Sequence, residues 1–168
     1  MGNRIPHAMS NAECQMFKRS DYCTIWHSPF GIFPLAANLL CMYEISIRRA
    51  FSAAHAIRLY DGSIEPVHGH NWSVVVTIAA DALDEIEVVA DFHPLEKHLD
   101  ALLATANNGN LNDLPPFADG KGGLSLNPTA ERVAWWIGQH MLAAVPTHAR
   151  LAGVTVGEAP GCTATWRP

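Results

Sequence analysis

Three histidines stand where a metal ion could be held. His68 and His70 are two residues apart in a stretch, 68–79, whose residues alternate: His68, His70, Trp72, Val74, Val76 and Ile78 against Asn71, Ser73 and Thr77. In an extended strand, side chains i and i+2 leave the same face, so the two imidazoles project together. His55 ends the preceding alternating run, in Phe51-Ser52-Ala53-Ala54-His55. If the two runs pair antiparallel, all three rings converge. Three His ligands on a divalent ion leave one coordination position open, the catalytic arrangement for zinc, whereas structural zinc is closed by four protein ligands. Neutral imidazoles also leave the ion's charge available to polarise a bound oxygen. The plain alternative for a lone His-x-His is a pair of surface or hydrogen-bonded histidines, because so short a pattern recurs by chance.

The elements that must position these rings follow from periodicity. Tyr43, Ile45, Ile47 and Phe51 alternate with Glu44, Ser46 and Arg48, which predicts a half-buried strand before His55. Asp81 to Glu85 reads as a turn into a third short strand, Ile86 to Phe92. Pro94 then suits the first turn of a helix whose stripe is Leu95, Leu99, Leu102, Leu103 and Ala106. Asn107 to Leu126, rich in Asn, Gly, Pro and Asp, predicts a long loop. Asn127-Pro128 predicts an N-cap and first helical residue, with Glu131 favourable in the opening turn. Val133, Trp136, Ile137, His140, Met141 and Ala144 form the expected buried stripe, and Pro146 the stop. Leu151, Val154, Val156 and Glu158, then Cys162 to Trp166, predict a closing hairpin around Pro160-Gly161. Strands, helices, strands describe an α+β domain with an antiparallel sheet covered on one face.

Composition limits the function classes. At 168 residues, 49% apolar and 16% charged, the chain suits one domain. A formal charge of −5 with scattered basic residues offers no stripe for nucleic acid, and no apolar stretch approaches the roughly 20 residues of a membrane span. Cys14, Cys23, Cys41 and Cys162 form no CxxC pair and no disulfide framework, so a reducing cytoplasm is the expected compartment. Residues 1–41 lack sustained period. Their apolar run, Ile32 to Leu40, follows Lys18 and Arg19 in the layout of a secretory signal, but Pro34 and Asn38 break it and no small-residue cleavage site precedes Cys41. The segment reads as a poorly ordered extension, or as sequence upstream of a start at Met42.

Longer motifs carry a resemblance. Phe51-Ser52-Ala53-Ala54-His55 and His68-Gly69-His70-Asn71-Trp72 are joined by Val88-Val89-Ala90-Asp91-Phe92, Leu111-Asn112-Asp113, Asn127-Pro128-Thr129-Ala130-Glu131 and Val154-Thr155-Val156-Gly157-Glu158. In that order, across residues 43–167, they resemble the 6-pyruvoyltetrahydropterin synthase family, which includes the 6-carboxytetrahydropterin synthases of queuosine biosynthesis. The resemblance implies the tunnelling fold, a four-stranded antiparallel sheet with two helices, trimerising into a barrel and stacking as a homohexamer. It implies zinc on His55, His68 and His70, and a pterin ring anchored by Glu158. A carboxylate can accept two hydrogen bonds from the 2-amino and N3 positions of a pterin. Thr129 is implied as a substrate contact, though a residue at a helix start can equally serve the cap.

Two departures bear on the reaction. The family's catalytic cysteine lies four residues before the first histidine of His-Gly-His. Ile64 stands there, and no cysteine occurs between residues 42 and 161. Glu65, three before His68, resembles a variant class in which glutamate replaces the cysteine and the side chain of dihydroneopterin triphosphate is cleaved to 6-hydroxymethyl-dihydropterin, a folate precursor. Glu65 is therefore the candidate base, against the plain alternative of a solvated loop carboxylate. The family's Asp-His pair aligns with Asn107 and Asn108, whose amides cannot accept a proton at neutral pH. His93 and His98 read as helix-surface histidines. The leading expectation is a zinc-dependent lyase acting on 7,8-dihydroneopterin triphosphate by side-chain cleavage. The alternatives are 6-carboxy- or 6-pyruvoyl-tetrahydropterin synthase chemistry, and a pterin-binding protein without catalysis.

Overall fold

The computed structural model describes residues 42–168, so the expectations for residues 1–41 lie outside the described residues. Two long strands, β1 (Tyr43–His55) and β2 (His68–Ala80), pair antiparallel with Phe51 opposite Trp72, Ala53 opposite His70 and His55 opposite His68. α1 (Phe92–Ala104) follows, then a two-residue strand β3 (Gly109–Asn110), α2 (Ala130–Met141), and the hairpin β4 (Arg150–Ala159) and β5 (Cys162–Trp166). The sheet order is β3-β1-β2-β4-β5. Four strands are antiparallel; β3 adds a short parallel pairing to Ala53 and Ala54 of β1. This is the expected α+β architecture, with both helices packed on one face of the sheet.

Strand parity builds the core. Ile47, Phe51 and Ala53 of β1 and Trp72, Val74, Val76 and Ile78 of β2 are buried on the helix side, as alternation requires. Leu151 and Val154 of β4 differ in parity yet are both buried. The register shifts between Thr77 and Ile78 of β2, opposite Gly153 and Leu151, so a bulge at Ala152 restores the phase. Leu95, Leu99 and Leu103 of α1 and Val133, Ile137 and Met141 of α2 close the core from above. Arg49 fastens β1 to α1 through Asp100 at 2.6 Å and Glu96 at 3.0 Å. Gly138 lets α2 approach the Trp166 ring of β5, since a Cβ there would collide with the indole.

Four sequence expectations change. Ile86 to Phe92 forms no strand: the Asp84 carboxylate accepts from the backbone of Ile86 and Val88, and Glu87 takes a positive φ of 65°, which folds the segment into a turn. The α2 cap is Thr129, whose hydroxyl accepts from the Arg132 N–H, because the Asn127 amide is spent on Arg58. His140 is exposed on α2, packed edge-on to Trp136. The expected loop 107–126 contains β3 and a 3₁₀ turn, Leu111–Asp113. Among the described residues no helix is long and apolar enough to cross a membrane.

Candidate metal centre

The β1–β2 register brings the three histidines together. Ring centroids are 4.6 Å apart for His55 and His68, 5.2 Å for His55 and His70, and 5.0 Å for His68 and His70. Trp72, fully buried, forms the floor, with its ring 4.9 Å from His55 and its indole N–H donating to the Ala53 carbonyl. Glu158 reaches in from β4. One ligand atom from each of His55, His68, His70 and Glu158 lies within 4.8 Å of every other.

The donor set fits a divalent ion. Nδ1 of His55 is 2.8 Å from the Pro128 carbonyl, and Nδ1 of His68 is 3.0 Å from the Pro66 carbonyl. A carbonyl only accepts, so in each neutral ring Nδ1 carries the hydrogen and Nε2 the lone pair. Carbonyl-oriented imidazoles of this kind are the usual outer support of metal-binding histidines. Nε2 of His55 and Nε2 of His70 are buried with no hydrogen-bond partner among the described residues. Burying unpaired polar atoms is costly, and a shared cation resolves both at once.

Three side chains hold the segment that leaves β1. The Asn112 amide accepts from Ala56 N–H at 2.8 Å and donates to Ala56 O at 2.7 Å. Asn127 grips Arg58 in the same way, at 2.8 and 2.9 Å. Between them Glu65 accepts from Ile57 N–H at 3.0 Å, while its own N–H donates to Ile57 O. These clamps act as a pseudo-strand along residues 56–58. They fix Glu65 with Oε1 3.9 Å from Nδ1 of His68. A cleft of about 390 Å³ opens beside this segment, lined by Ala56, Ile64, Val67, Asn112 and Leu124 among others. Sequence reasoning quoted Asn112 and Asn127 within motifs but gave neither this role; the only signal was an Asn in each motif at a predicted turn.

Other expected residues lie apart from the cluster. Asn107 Oδ1 accepts from Ser52 N–H, and Asn108 N–H donates to Ser52 O, so both tie the loop to the edge of β1. His98 Nε2 meets the His140 carbonyl between the helices. His93 sits at the exposed start of α1 beside Asp91.

The sequence pattern described as 6-pyruvoyl tetrahydropterin synthase matches residues 44–168. The chain belongs to this family. It is 28% identical over 115 residues to the dihydroneopterin monophosphate aldolase of Pyrococcus furiosus, covering 68% of this chain and 89% of that one. It is 34% identical to the 6-carboxy-5,6,7,8-tetrahydropterin synthase of Synechocystis, covering 57% and 72%. The solved 6-pyruvoyl tetrahydropterin synthase of Caenorhabditis elegans superimposes with a TM-score of 0.62 at 21% identity, over 76% of this chain and 96% of that one. A Plasmodium vivax synthase, described as a catalytic-residue mutant with a glutamate replaced by alanine, gives 0.61 at 17% identity, over 76% and 98%. The protein is thus a pterin enzyme, a lyase of the 6-pyruvoyl/6-carboxytetrahydropterin synthase family with a histidine-rich metal site.

Proposed function

We propose that the protein cleaves the side chain of a phosphorylated 7,8-dihydroneopterin, the triphosphate being the substrate first expected, to give 6-hydroxymethyl-dihydropterin. The observation that carries this reading is the Glu65 carboxylate, clamped to Ile57 and held beside His68. The Pyrococcus relative is named an aldolase, and the Plasmodium vivax synthase has a glutamate as a named catalytic residue. Both support it.

Zinc is the proposed ion, held by His55, His68 and His70; when bound it would acidify a side-chain hydroxyl and lower the demand on the base. Glu158 accepts the 2-amino and N3 hydrogens of the ring. Glu65 takes the proton of the second side-chain hydroxyl. The bond between the first and second side-chain carbons breaks, and its electron pair enters the dihydropterin ring system. The second carbon leaves as the aldehyde of a two-carbon fragment that carries the phosphate. Glu65 then returns its proton to the first carbon, completing the hydroxymethyl group. Thr129, whose oxygen accepts from Arg132, keeps a hydroxyl proton to offer the substrate.

Assembly as a homohexamer, a dimer of trimers, belongs to the same proposal. Residues 43–51 of β1 have no strand on their outer side among the described residues, and β5 is the opposite edge. Light scattering of the purified protein tests it. A cytoplasmic location is proposed from the cysteine pattern.

The Synechocystis relative favours a second reading, 6-carboxytetrahydropterin synthesis. Incubating the metal-loaded protein with dihydroneopterin triphosphate, and separately with the monophosphate, then weighing the pterin products, separates the two. A hydroxymethyl product supports cleavage. A carboxy product overturns it, and no turnover of either substrate favours a binding protein.

A further inference from the structure

Glu158 stands closer to the histidines than a ring anchor needs to. Its Oε1 is 3.0 Å from Nε2 of His55 and 3.4 Å from Nε2 of His70. Neither contact has hydrogen-bond alignment, and both ring nitrogens are otherwise unpartnered. His55 donates from Nδ1 to Pro128, so its neutral ring turns a lone pair toward the carboxylate. Two lone pairs at that separation repel unless positive charge lies between them. A proton on Nε2 would supply the charge but would be aimed away from the oxygen. A shared cation satisfies all three atoms. With metal–ligand bonds of about 2.0–2.1 Å, ligand atoms around a tetrahedral ion stand about 3.3 Å apart. The two Glu158 distances fall on either side of that spacing.

The backbone accounts for the reach. The β4–β5 register shifts between Gly157 and Ala159, which leaves Glu158 as the extra residue of a bulge. Bulges re-aim side chains in this way beside functional sites. The Glu158 side chain is 30% exposed while that of His55 is 3% exposed, so the carboxylate has room to swing where the His55 ring does not.

We propose that Glu158 is an exchangeable fourth ligand, closing the metal site in the pterin-free enzyme and leaving it to bind the pterin ring. The inference rests on the reading of Glu158 as ring anchor. Gripping the 2-amino and N3 hydrogens occupies both carboxylate oxygens, including the one now facing His55 and His70. Ring binding therefore withdraws Glu158 and opens the position that catalytic metal sites keep free. Metal and ring compete for one carboxylate, so by linkage each weakens the other by the same factor.

The test uses the full chain, stripped of metal and titrated with zinc against a chromophoric chelator. The ring probe is unsubstituted pterin, which has no side-chain hydroxyls. Saturating pterin should weaken zinc binding several-fold in the wild type. Glu158→Gln should bind zinc at least about tenfold more weakly without pterin, the loss caused by removing even an outer partner of a ligand. Pterin should then have no further effect. Visible bands of the cobalt(II)-loaded wild type should shift on adding pterin, and those of Glu158→Gln should differ before pterin is added. Circular dichroism checks that the variant is folded, and Glu158→Asp, which shortens the reach, supplies a second variant expected to fall between the two. A Gln variant that holds zinc as tightly as wild type overturns the proposal and leaves the ring-anchor reading intact. Wild-type protein that uses Glu158 for zinc yet binds no pterin overturns both the exchange and the anchor.

Discussion

Nδ1 of His55 donates to the carbonyl of Pro128 over 2.8 Å and across 73 positions of sequence. The bond joins the most buried histidine of the cluster to the residue just before the α2 cap. Thr129 then caps the helix, and Asn127 grips Arg58, so two consecutive residues, Asn127 and Pro128, fasten the start of α2 to the end of β1 and the segment that leaves it. The tautomer of His55 is thus set by the packing of a helix against a sheet rather than by the ion.

One divalent ion per chain is expected, and elemental analysis of His55→Ala, His68→Ala and His70→Ala should each show its loss. The apolar core closes without the site, so metal removal should leave the far-ultraviolet circular dichroism nearly unchanged, unlike that of a zinc finger. His55→Ala should lower the melting temperature most, because it also strips a buried bond to Pro128. Retention of a full complement of metal in all three variants would remove the site.

Asn112→Ala should be costly for an uncharged loop residue. It leaves both the N–H and the carbonyl of Ala56, which is 1% exposed, without their partner. Such unsatisfied groups cost about 1–3 kcal/mol each before relaxation. Urea unfolding should show a loss at least as large as one such group costs, with zinc affinity reduced as well because His55 precedes Ala56. Asn112→Asp, which keeps the acceptor and loses the donor, should fall between. An unchanged unfolding midpoint would deny the clamp.

What could be read in advance was whatever strand parity decides. His68, His70 and Trp72 had to share a face, and pairing with β1 then fixed His55 beside them. Side-chain bonds to the backbone were illegible. Asp84 turns Ile86 to Phe92 away from strand geometry, and Asn127 looks like a cap by type but is taken by Arg58. Glu158 was correctly expected to face inward with Val154 and Val156. Its approach to the histidines depends on a bulge after Gly157, and bulges insert a residue that alternation alone does not announce.

The start of α1 carries a titrating pair. Asp91 accepts from the backbone N–H of His93 and from its ring Nδ1, each at 2.9 Å. The side-chain bond to Asp91 holds the His93 ring above its ordinary 6.5, and the bonds from His93 hold Asp91 below its ordinary 3.8. The His93 contribution is therefore complete below pH 6.5 and lost as pH rises through the raised value. The Asp91 contribution is complete above pH 3.8 and lost as pH falls through the lowered one. Both groups are exposed, so screening keeps the effect on global stability small. Nuclear magnetic resonance should give His93 a midpoint above 6.5 that drops in Asp91→Asn. Equal midpoints would mean the pair does not form in solution.

Residues 42–168 enclose their own core, from Ile47 on β1 to Val156 on β4. A chain beginning at Met42 should accordingly fold, assemble and bind one ion. Size-exclusion chromatography with light scattering, followed by metal analysis, checks this. Insolubility, or an assembly smaller than that of the full chain, would assign residues 1–41 a structural part.

Glu65 is the proton-transfer residue in the proposed cleavage, and the clamp makes a clean substitution available. Glu65→Gln keeps a carbonyl oxygen to accept from Ile57 N–H, so the loop should hold its course while the base is lost. Turnover should fall by about 10² to 10⁴, the usual worth of a general base. Zinc content should not change, and pterin affinity should change little because the ring contact is assigned to Glu158. Glu65→Ala should fall further, since it frees Ile57 as well. Placing Cys at position 64 with Ala at 65 should not install the cysteine-dependent reaction. Asn107 and Asn108, where the family resemblance aligns an Asp-His pair, are tied to the Ser52 backbone, and a side-chain amide cannot relay a proton. Full activity in the Gln variant would remove Glu65 from the mechanism. His98 could not inherit the role from its bond to the His140 carbonyl, nor His93 from its place beside Asp91 at the start of α1, so the base would have to be sought among the groups of the metal centre itself.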